Sequence, residues 1–222
     1  DSGGLTFDKA LTVTVTGVNE APTDVSLSSS TIAENSAVGT EVGTLTTTDV
    51  DAGDSFAYSI TAQDVSAAFQ IAGDKLQVGS GTADFDTTPT LSVTVRTTDS
   101  SGLTFDKALT VTVTDVNEAP TDITFSATTV ASKADAGAFV GTLSTIDDDG
   151  DDSFTYSITT DPSGVFDISG NEVRVGSAFE DLSPGQLVAI NAITMDSGGL
   201  TYTRMVSTVV VRSQNAILAA LG

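Results

Sequence analysis

The sequence repeats itself over almost its whole length. The stretch DSGGLTFDKALTVTVTGVNEAPTDV at 1–25 returns as DSSGLTFDKALTVTVTDVNEAPTDI at 99–123, and a weaker third copy begins at Asp196. Residues 31–61 match residues 129–159 at the same spacing of about 98 residues. A unit of this length is typical of a self-standing domain and too long for a solenoid repeat. We therefore predict two full repeats, 19–118 and 119–222, preceded at 1–18 by the last strand of an earlier repeat.

Each repeat has the pattern of short β-strands. Segments such as LTVTVT at 11–16 and LSVTVRTT at 91–98 alternate apolar and polar residues and are rich in Val and Thr. The pairs Gly73-Asp74 and Gly170-Asn171 each separate two short strand patterns, which is typical of a two-residue hairpin turn. About seven strands per repeat, with few helix signals, predict an all-β fold of tandem immunoglobulin-like, antiparallel Greek-key β-sandwiches. Gly53, Gly102 and Gly198 are predicted turn glycines with positive φ.

The core of these sandwiches is expected to be aliphatic, because the chain has no Trp and only 6% aromatic residues. The period-two pattern turns every second side chain of a strand to the same face. In the first full repeat, the predicted inward positions are Val25, Leu27, Ile32, Val42, Leu45, Phe56, Tyr58, Ile60, Phe69, Ile71, Leu76, Val78, Leu91, Val93, Val95, Leu109, Val111 and Val113.

The net charge and composition of the chain exclude several classes of partner and site. It has 30 Asp and Glu residues but 8 Lys and Arg residues, which gives a formal charge of −22 at pH 7. Such a chain repels nucleic acid and anionic lipid, so neither is a predicted partner. The absence of His and Cys excludes Ser-His-Asp triads, disulfides and thiolate metal sites. Oxygen ligands remain, and they suit hard cations such as Ca²⁺. No apolar run is long enough to predict a membrane span.

The acidic side chains gather where strand patterns end. The clusters are Asp49, Asp51 and Asp54; Asp84 and Asp86; Asp99; Asp115 and Glu118; and Asp147, Asp149, Asp151 and Asp152. Because Ca²⁺ takes about six to eight oxygens, several loops from two adjacent domains would have to supply one site. Surface charge for solubility explains the total charge but not this clustering. For Asp54, Asp151 and Asp152, a plain turn role and a ligand role are both open.

Five of these pieces, in this order, resemble the cadherin-like tandem repeats of large bacterial surface adhesins. They are the glutamate loop Ile32-Ala33-Glu34-Asn35, the Asp-x-Asp loop at 49–51, Asp84-Phe85-Asp86, Asp99-Ser100-Ser101-Gly102, and the linker Asp115-Val116-Asn117-Glu118-Ala119-Pro120. The chain departs from the family pattern at Ala83, where the family has Leu, and at Asp86 and Glu118, where the two acidic residue types are exchanged. The resemblance covers both full repeats and implies a cadherin-like sandwich.

The resemblance also implies Ca²⁺ at the junction between consecutive repeats. Carried over by position, the implied ligands are Glu34, Asp84 and Asp86 from the first repeat, Asp115, Asn117 and Glu118 from the linker, and Asp147, Asp149 and Asp196 from the second repeat. A partial upstream site would use Asn19, Glu20, Asp49, Asp51 and Asp99. Gly17 stands there in place of Asp115, so the upstream site lacks one carboxylate.

The two repeats differ in which acidic residues they keep: those that would face the preceding repeat (backwards) or those that would face the following repeat (forwards). The second repeat keeps the residues that would face backwards, with Asp147, Asp149 and Asp196 opposite Asp49, Asp51 and Asp99. It loses most residues that would face forwards, with Ser132 opposite Glu34, Ala178 opposite Asp84, and 212–215 opposite Asp115–Glu118. Glu180, opposite Asp86, is retained. We therefore expect the second repeat to be terminal, followed by a short apolar tail at 215–222.

These features predict a calcium-rigidified structural and adhesive module of a secreted bacterial adhesin, located outside the cell or at its surface. Its expected partners are neighbouring repeats of the same chain and cell-surface or matrix ligands. The alternative is a Ca²⁺-dependent carbohydrate- or ligand-binding accessory module of a secreted enzyme, although the lack of Trp argues against sugar stacking. No enzymatic activity is predicted, because Asp84 and Asp86 are adjacent on one segment and make a poor acid–base pair for glycoside cleavage.

Overall fold

A computed structural model describes residues 2–150, 152–160, 164–179 and 182–212. The chain divides into two compact units, unit 1 (Asp1–Asp115) and unit 2 (Val116–Gly222), so their boundary lies three residues before the boundary expected from the repeats. Asp151, Glu180 and the tail at 215–222 lie outside the described residues. Among the residues described, no helical segment has the length and apolar character that a membrane crossing requires.

Both units are built from strands in the same order. Unit 1 contains β1 (Asp24–Leu27), β2 (Thr31–Ala33), β3 (Glu41–Thr48), β4 (Ala57–Gln63), β5 (Phe69–Ala72), β6 (Lys75–Val78), β7 (Thr90–Thr98) and β8 (Thr104–Thr114). Unit 2 contains β9 (Asp122–Phe125), β10 (Thr129–Ala131), β11 (Phe139–Ile146), β12 (Thr155–Thr160), β13 (Phe166–Ser169), β14 (Glu172–Val175), β15 (Leu187–Met195) and β16 (Thr201–Val211). The all-β prediction is confirmed, and so are the two hairpins, β5–β6 and β13–β14.

Each unit has two four-stranded sheets. The sheet orders are β1-β3-β6-β5 and β2-β8-β7-β4 in unit 1, and β9-β11-β14-β13 and β10-β16-β15-β12 in unit 2. The expectation of purely antiparallel pairing is wrong at one place in each unit, because β2 runs parallel to β8 and β10 runs parallel to β16. The reason is that the first strand is divided. Its first part pairs with one sheet and its second part crosses to the other, which gives eight strands among the described residues of each unit, where about seven were expected.

A glycine permits this crossing. A Cβ on Gly43 of β3 would lie 2.7 Å from the carbonyl oxygen of Ser29, in the segment that joins β1 to β2. Gly141 holds the matching place in unit 2, where a Cβ would meet Ala127 at 2.7 Å. Both glycines lie where the pairing register shifts, as in a β-bulge. Only a residue without a side chain lets the two segments approach so closely.

The core of unit 1 follows the predicted alternation. Its buried residues are Val25, Ile32, Val42, Leu45, Ala68, Phe69, Leu76, Val78, Leu91, Val93, Val95, Val111 and Val113. Leu27, Tyr58, Ile60, Ile71 and Leu109 are half-buried against this core. Phe56 was wrongly assigned to the core: it precedes β4, is half-buried, and is not among the residues packed there. Sequence reasoning missed Ala68, Val65, Ala83 and Phe85, which lie in loops and carry no strand periodicity.

The same twelve residues occur in two environments. LTFDKALTVTVT at 103–114 includes β8, which pairs with β7 and β2. The identical stretch at 5–16 forms no strand, and its Phe7, Leu11, Val13 and Val15 are at least 79% exposed. Neighbouring strands, and not the local sequence, therefore decide whether this segment enters a sheet. That residues 1–18 close a preceding repeat stays a prediction.

Candidate metal centres

In unit 1, carboxylates continue the inward-facing rows of two strands. Leu45 and Val95 are buried on the inner faces of β3 and β7, and Thr97 follows Val95 two residues later, with no exposed surface. Because side chains alternate along a strand, the next inward positions are Asp49 and Asp99, immediately beyond the strand ends. The alternation that turns the apolar side chains into the core therefore also turns Asp49 and Asp99, from the two sheets, inward at one end of the sandwich.

Three carboxylates meet at this end and form what we name cluster 1: Asp49, Asp54 and Asp99. Each offers an oxygen, and the three oxygens lie within 4.8 Å of one another. Asp99 is only 6% exposed. One oxygen of Asp49 and one of Asp54, both Oδ2, are buried and accept no hydrogen bond from the described residues. Close, buried carboxylates repel one another unless a cation or proton offsets the charge.

The segment before β1 is fastened to cluster 1. The Asn19 side-chain Nδ2 donates to Asp99 Oδ2 at 2.9 Å, and the Glu20 backbone NH donates to Asp51 Oδ2 at 2.7 Å. The hydrogen bond from Asn19, supported by backbone NH groups, lowers the pKa of Asp99, although burial opposes this effect. The structure therefore brings together all five residues that were assigned to the partial upstream site.

Unit 2 repeats this arrangement in cluster 2, defined as Asp147, Asp152 and Asp196. Their oxygens also lie within 4.8 Å of one another, and Asp196 is 4% exposed. Oδ2 of Asp147 and Oδ2 of Asp152 are buried without a hydrogen bond from the described residues, as is Oδ1 of Asp149. Burial, followed by the charges of Asp149 and Asp152, raises the pKa of Asp147 above its ordinary value. A cation in this cluster would oppose that shift, because it favours the charged form.

The linker of unit 2 is fastened in the same way. Asn117 Nδ2 donates to Asp196 Oδ2 at 3.1 Å, and the Glu118 NH donates to Asp149 Oδ2 at 2.8 Å. The prediction that Gly198 adopts positive φ is wrong, because its neighbour Gly199 does so, at +92°. Gly198 has another role, since a Cβ there would lie 2.2 Å from the Asn117 Oδ1. Gly199 thus adopts the positive φ of the turn, and Gly198 leaves space for the Asn117 side chain.

Asp54 and Asp152 belong to the clusters, although the sequence left their role open. Ser100 Oγ donates to Asp54 Oδ1 at 2.8 Å, and Ser197 Oγ donates to Asp152 Oδ1. The signal that could have identified them is their spacing. Each follows the first Asp of its loop by the same interval, and each repeat places a serine directly after the Asp-x-x-Gly aspartate. Asp151, the third doubtful residue, lies outside the described residues.

The forward-facing residues of unit 1 lie near β2 and in the loop before β7. Glu34 is 4% exposed, and its Oε2 accepts a hydrogen bond of 2.7 Å from the NH of Phe85. Asp84 is half-buried and accepts from the Thr87 NH at 3.2 Å, as a turn residue does. Asp86 is exposed on the same turn. The Glu34 carboxylate thus holds the loop that carries Asp84 and Asp86.

Unit 2 keeps the backbone hydrogen bond at the position of Glu34 but has the serine Ser132 in place of this carboxylate. The Glu34 NH donates to the carbonyl of Thr114 at 3.0 Å, and the Ser132 NH donates to the carbonyl of Val211 at 2.6 Å. Ser132 is buried, with 7% exposure. The nine residues assigned to the junction divide between the units, with Glu34, Asp84, Asp86 and Asp115 in unit 1 and Asn117, Glu118, Asp147, Asp149 and Asp196 in unit 2.

Solved structures of cadherin extracellular domains are similar to the chain. Human protocadherin-24 EC1-2 matches 88% of this chain and 100% of its own length, with a TM-score of 0.66 and 18% identity. Its form II gives a TM-score of 0.65 at 20% identity, over the same shares of both chains. The human desmocollin-1 ectodomain gives 0.55 at 20% identity, over 87% of this chain and 42% of its own.

The fold is cadherin-like. This confirms the fold that the sequence motifs implied. No family model and no curated protein matches the sequence. The cadherin-like architecture explains why the acidic loops lie at the ends of the sandwiches, since the strands deliver them there.

Proposed function

We propose that the chain is an extracellular structural and adhesive module of a secreted bacterial surface adhesin, with Ca²⁺ bound at the junction between consecutive repeats. The observation that carries the proposal is the pair of clusters. Each brings three carboxylate oxygens within 4.8 Å of one another, and each contains two buried oxygens that accept no hydrogen bond from the described residues. Such groups are costly to bury uncompensated, and a divalent cation compensates them directly.

The donor set favours Ca²⁺ over other common metals. The chain has no His or Cys, so every side-chain ligand is an oxygen, as hard cations prefer. Around cluster 2, Asp149 adds a further carboxylate to those of Asp147, Asp152 and Asp196, and its Oδ1 is buried without a hydrogen bond from the described residues. Ca²⁺ accepts about six to eight such ligands in flexible geometry, whereas Mg²⁺ demands a near-octahedral set at shorter distances.

The difference between the two repeats supports a site shared by consecutive repeats. Unit 1 carries carboxylates at both of its ends: cluster 1 at one, and Glu34 with Asp84 and Asp86 at the other. Unit 2 keeps cluster 2 but has Ser132 and Ala178 at the other end. If the forward end of one repeat and the backward end of the next bind the same ions, Ser132 and Ala178 remove two ligands from the forward end of unit 2 and none from its backward end. Ca²⁺ would then stiffen a linker that otherwise bends.

Calcium titration tests this function. We expect Ca²⁺ to raise the melting temperature by about 5–15 °C at saturating concentration, because a ligand that binds only the folded state stabilises it. Small-angle scattering should show a narrower distribution of radii of gyration with Ca²⁺, and EDTA should reverse both effects. Calorimetry with Mg²⁺ in parallel identifies the working ion. A chain whose melting and scattering do not respond to Ca²⁺ or EDTA contradicts the proposal.

Matched variants test whether the forward residues take part. Glu34→Gln keeps the size of the side chain and an acceptor for the Phe85 NH but removes the charge. It should weaken Ca²⁺ binding by about tenfold or more, as should Asp196→Asn. Ser132→Ala, at the matching place in unit 2, should leave Ca²⁺ binding unchanged. Equal effects of Glu34→Gln and Ser132→Ala would contradict the proposal that the forward end of unit 1 binds Ca²⁺ and that of unit 2 does not.

A further inference from the structure

A layer of hydroxyl groups lies between the aliphatic core and cluster 1. Thr47 on β3 and Thr97 on β7 join the two sheets through a hydrogen bond of 2.7 Å between their Oγ1 atoms. Thr47 Oγ1 also hydrogen-bonds the Tyr58 OH on β4 at 3.0 Å. Thr97 has no exposed surface. We call these three residues hydroxyl layer 1.

Unit 2 contains the same arrangement, hydroxyl layer 2. Thr145 on β11 and Thr194 on β15 lie 2.7 Å apart between their Oγ1 atoms, and Thr145 Oγ1 hydrogen-bonds the Tyr156 OH at 2.9 Å. Thr194 also has no exposed surface. Both distances recur at matching positions of the two repeats, so the same hydrogen bond joins the sheets in each unit.

Each threonine stands one inward position below a cluster carboxylate. Thr145 precedes Asp147 by two residues, and Thr194 precedes Asp196 by two residues. Strands advance about 3.3 Å per residue, so each carboxylate starts about 7 Å beyond its threonine on the same face. The strand that carries Asp147 and the strand that carries Asp196 are therefore tied together directly beneath the carboxylates.

A hydrogen bond holds two strands at a different distance from an apolar contact. Two hydroxyl oxygens approach to about 2.7 Å, while a methyl group needs about 3.5–4.0 Å from its neighbour. A valine in place of either threonine would push the strands apart locally by about 1 Å. Ca²⁺ and Mg²⁺ differ in ligand distance by less than this, at about 2.3–2.6 Å against 2.0–2.1 Å.

We propose that the hydroxyl layers are positioning devices that set the spacing of the cluster carboxylates and thereby their affinity for Ca²⁺. This inference rests on the proposed Ca²⁺ binding and adds the residues that tune it. The threonines touch no ion. They act through Asp147 and Asp196 in unit 2, and through Asp49 and Asp99 in unit 1.

Unit 2 supplies a matched control for the test. Thr208 on β16 is 2% exposed, and its Oγ1 has no hydrogen-bond partner among the described residues. Val111 holds the corresponding place in β8 of unit 1. Thr208→Val is therefore the same chemical change as Thr194→Val, in the same core, without loss of a hydrogen bond. It should leave cation binding unchanged and should not lower stability.

The experiment compares four full-length variants with the wild type: Thr194→Val, Thr194→Ser, Thr208→Val and Tyr156→Phe. Calorimetric titration with Ca²⁺ and with Mg²⁺ gives the affinity for each ion, and Eu³⁺ luminescence decay in H₂O and D₂O gives the number of water molecules on the bound ion. We expect Thr194→Val to lower Ca²⁺ affinity about 10–100-fold and to add water to Eu³⁺, because carboxylates that stand farther apart cannot all reach one ion. Mg²⁺ affinity should fall at least as much, since Mg²⁺ needs shorter ligand distances. Thr194→Ser keeps the hydroxyl and should keep the wild-type Ca²⁺ affinity and Eu³⁺ hydration.

Each outcome decides the inference. Wild-type affinity and hydration in Thr194→Val would overturn it, while the proposed function would stand if Asp196→Asn still weakened Ca²⁺ binding. An equal loss in Thr194→Ser or in Thr208→Val would also overturn it, because packing and not the hydroxyl would then be the cause. If Thr194→Val does not fold, Tyr156→Phe must show a smaller shift in the same direction. A wild-type chain that binds no Ca²⁺ overturns the inference and the function together.

Discussion

Units 1 and 2 build the same sandwich but use one loop differently. In unit 1, the loop after β6 carries Asp84 and Asp86, with Phe85 half-buried between them. In unit 2, the loop after β14 places Phe179 in the core with no exposed surface, and its ring centroid lies 5.9 Å from that of Phe166. Phe179 is thus fully buried in the core of unit 2, whereas Phe85 covers the core of unit 1 only in part. The same loop position is therefore packed to a different depth in the two units.

The largest expected effect comes from removing that packing. Phe179→Ala should destabilise unit 2 by about 3–5 kcal/mol, because it leaves a cavity in a core without solvent access. Phe85→Ala, at the matching place in unit 1, should cost about half as much, since Phe85 is only half-buried. Urea denaturation with a probe for each unit measures both changes. Equal losses would show that the two loops pack alike.

A smaller effect is expected when the missing charge is restored. Ser132→Glu places a carboxylate where unit 2 has a buried hydroxyl, and in EDTA it should destabilise unit 2 by about 2 kcal/mol more than Ser132→Gln. The glutamine variant has the same size without the charge, so the difference isolates the charge. Thermal melting in EDTA measures it. Equal melting temperatures would show that unit 2 already accommodates a forward carboxylate.

The smallest effect is expected at the linker. Gly198→Ala brings a Cβ into the Asn117 side chain, which must move away from Asp196. Loss of this hydrogen bond should cost about 1 kcal/mol and weaken Ca²⁺ binding several-fold. Ser101 holds the matching place in unit 1 and already has a Cβ, so Ser101→Ala should change neither quantity. Chemical denaturation and calorimetry of both variants test whether the two linkers differ in this way.

Period-two alternation made most of the fold predictable. It identified the buried Val and Leu residues of β3 and β7, and the same alternation extends to Asp49 and Asp99. The parallel β2 was not predictable, because a strand of three residues carries too little periodicity and no strong turn signal divides it from β1. Its direction depends on the close approach of Gly43 to Ser29, a tertiary contact that no local pattern encodes.

The candidate sites were predictable in part for a similar reason. The order of the acidic motifs along the chain predicted that Asn19, Asp51 and their neighbours belong to one site, and the structure places these residues together at one end of unit 1. Asp54 remained ambiguous, because an aspartate beside a turn glycine satisfies turn chemistry and cation binding equally well. The exchange of roles between Gly198 and Gly199 was invisible, since two adjacent glycines have the same backbone freedom until the linker amide is in place.

The duplicated twelve residues give a folding chain two candidates for closing one sheet. Residues 99–103 alone separate β7 from β8, whereas residues 17–89 separate the twin at 5–16 from β7. The entropy of ring closure favours the nearer candidate by about 2 kcal/mol. Proximity along the chain, and not side-chain chemistry, thus selects the strand that completes the sheet, and the twin competes on equal terms only when it arrives from another molecule in concentrated solution.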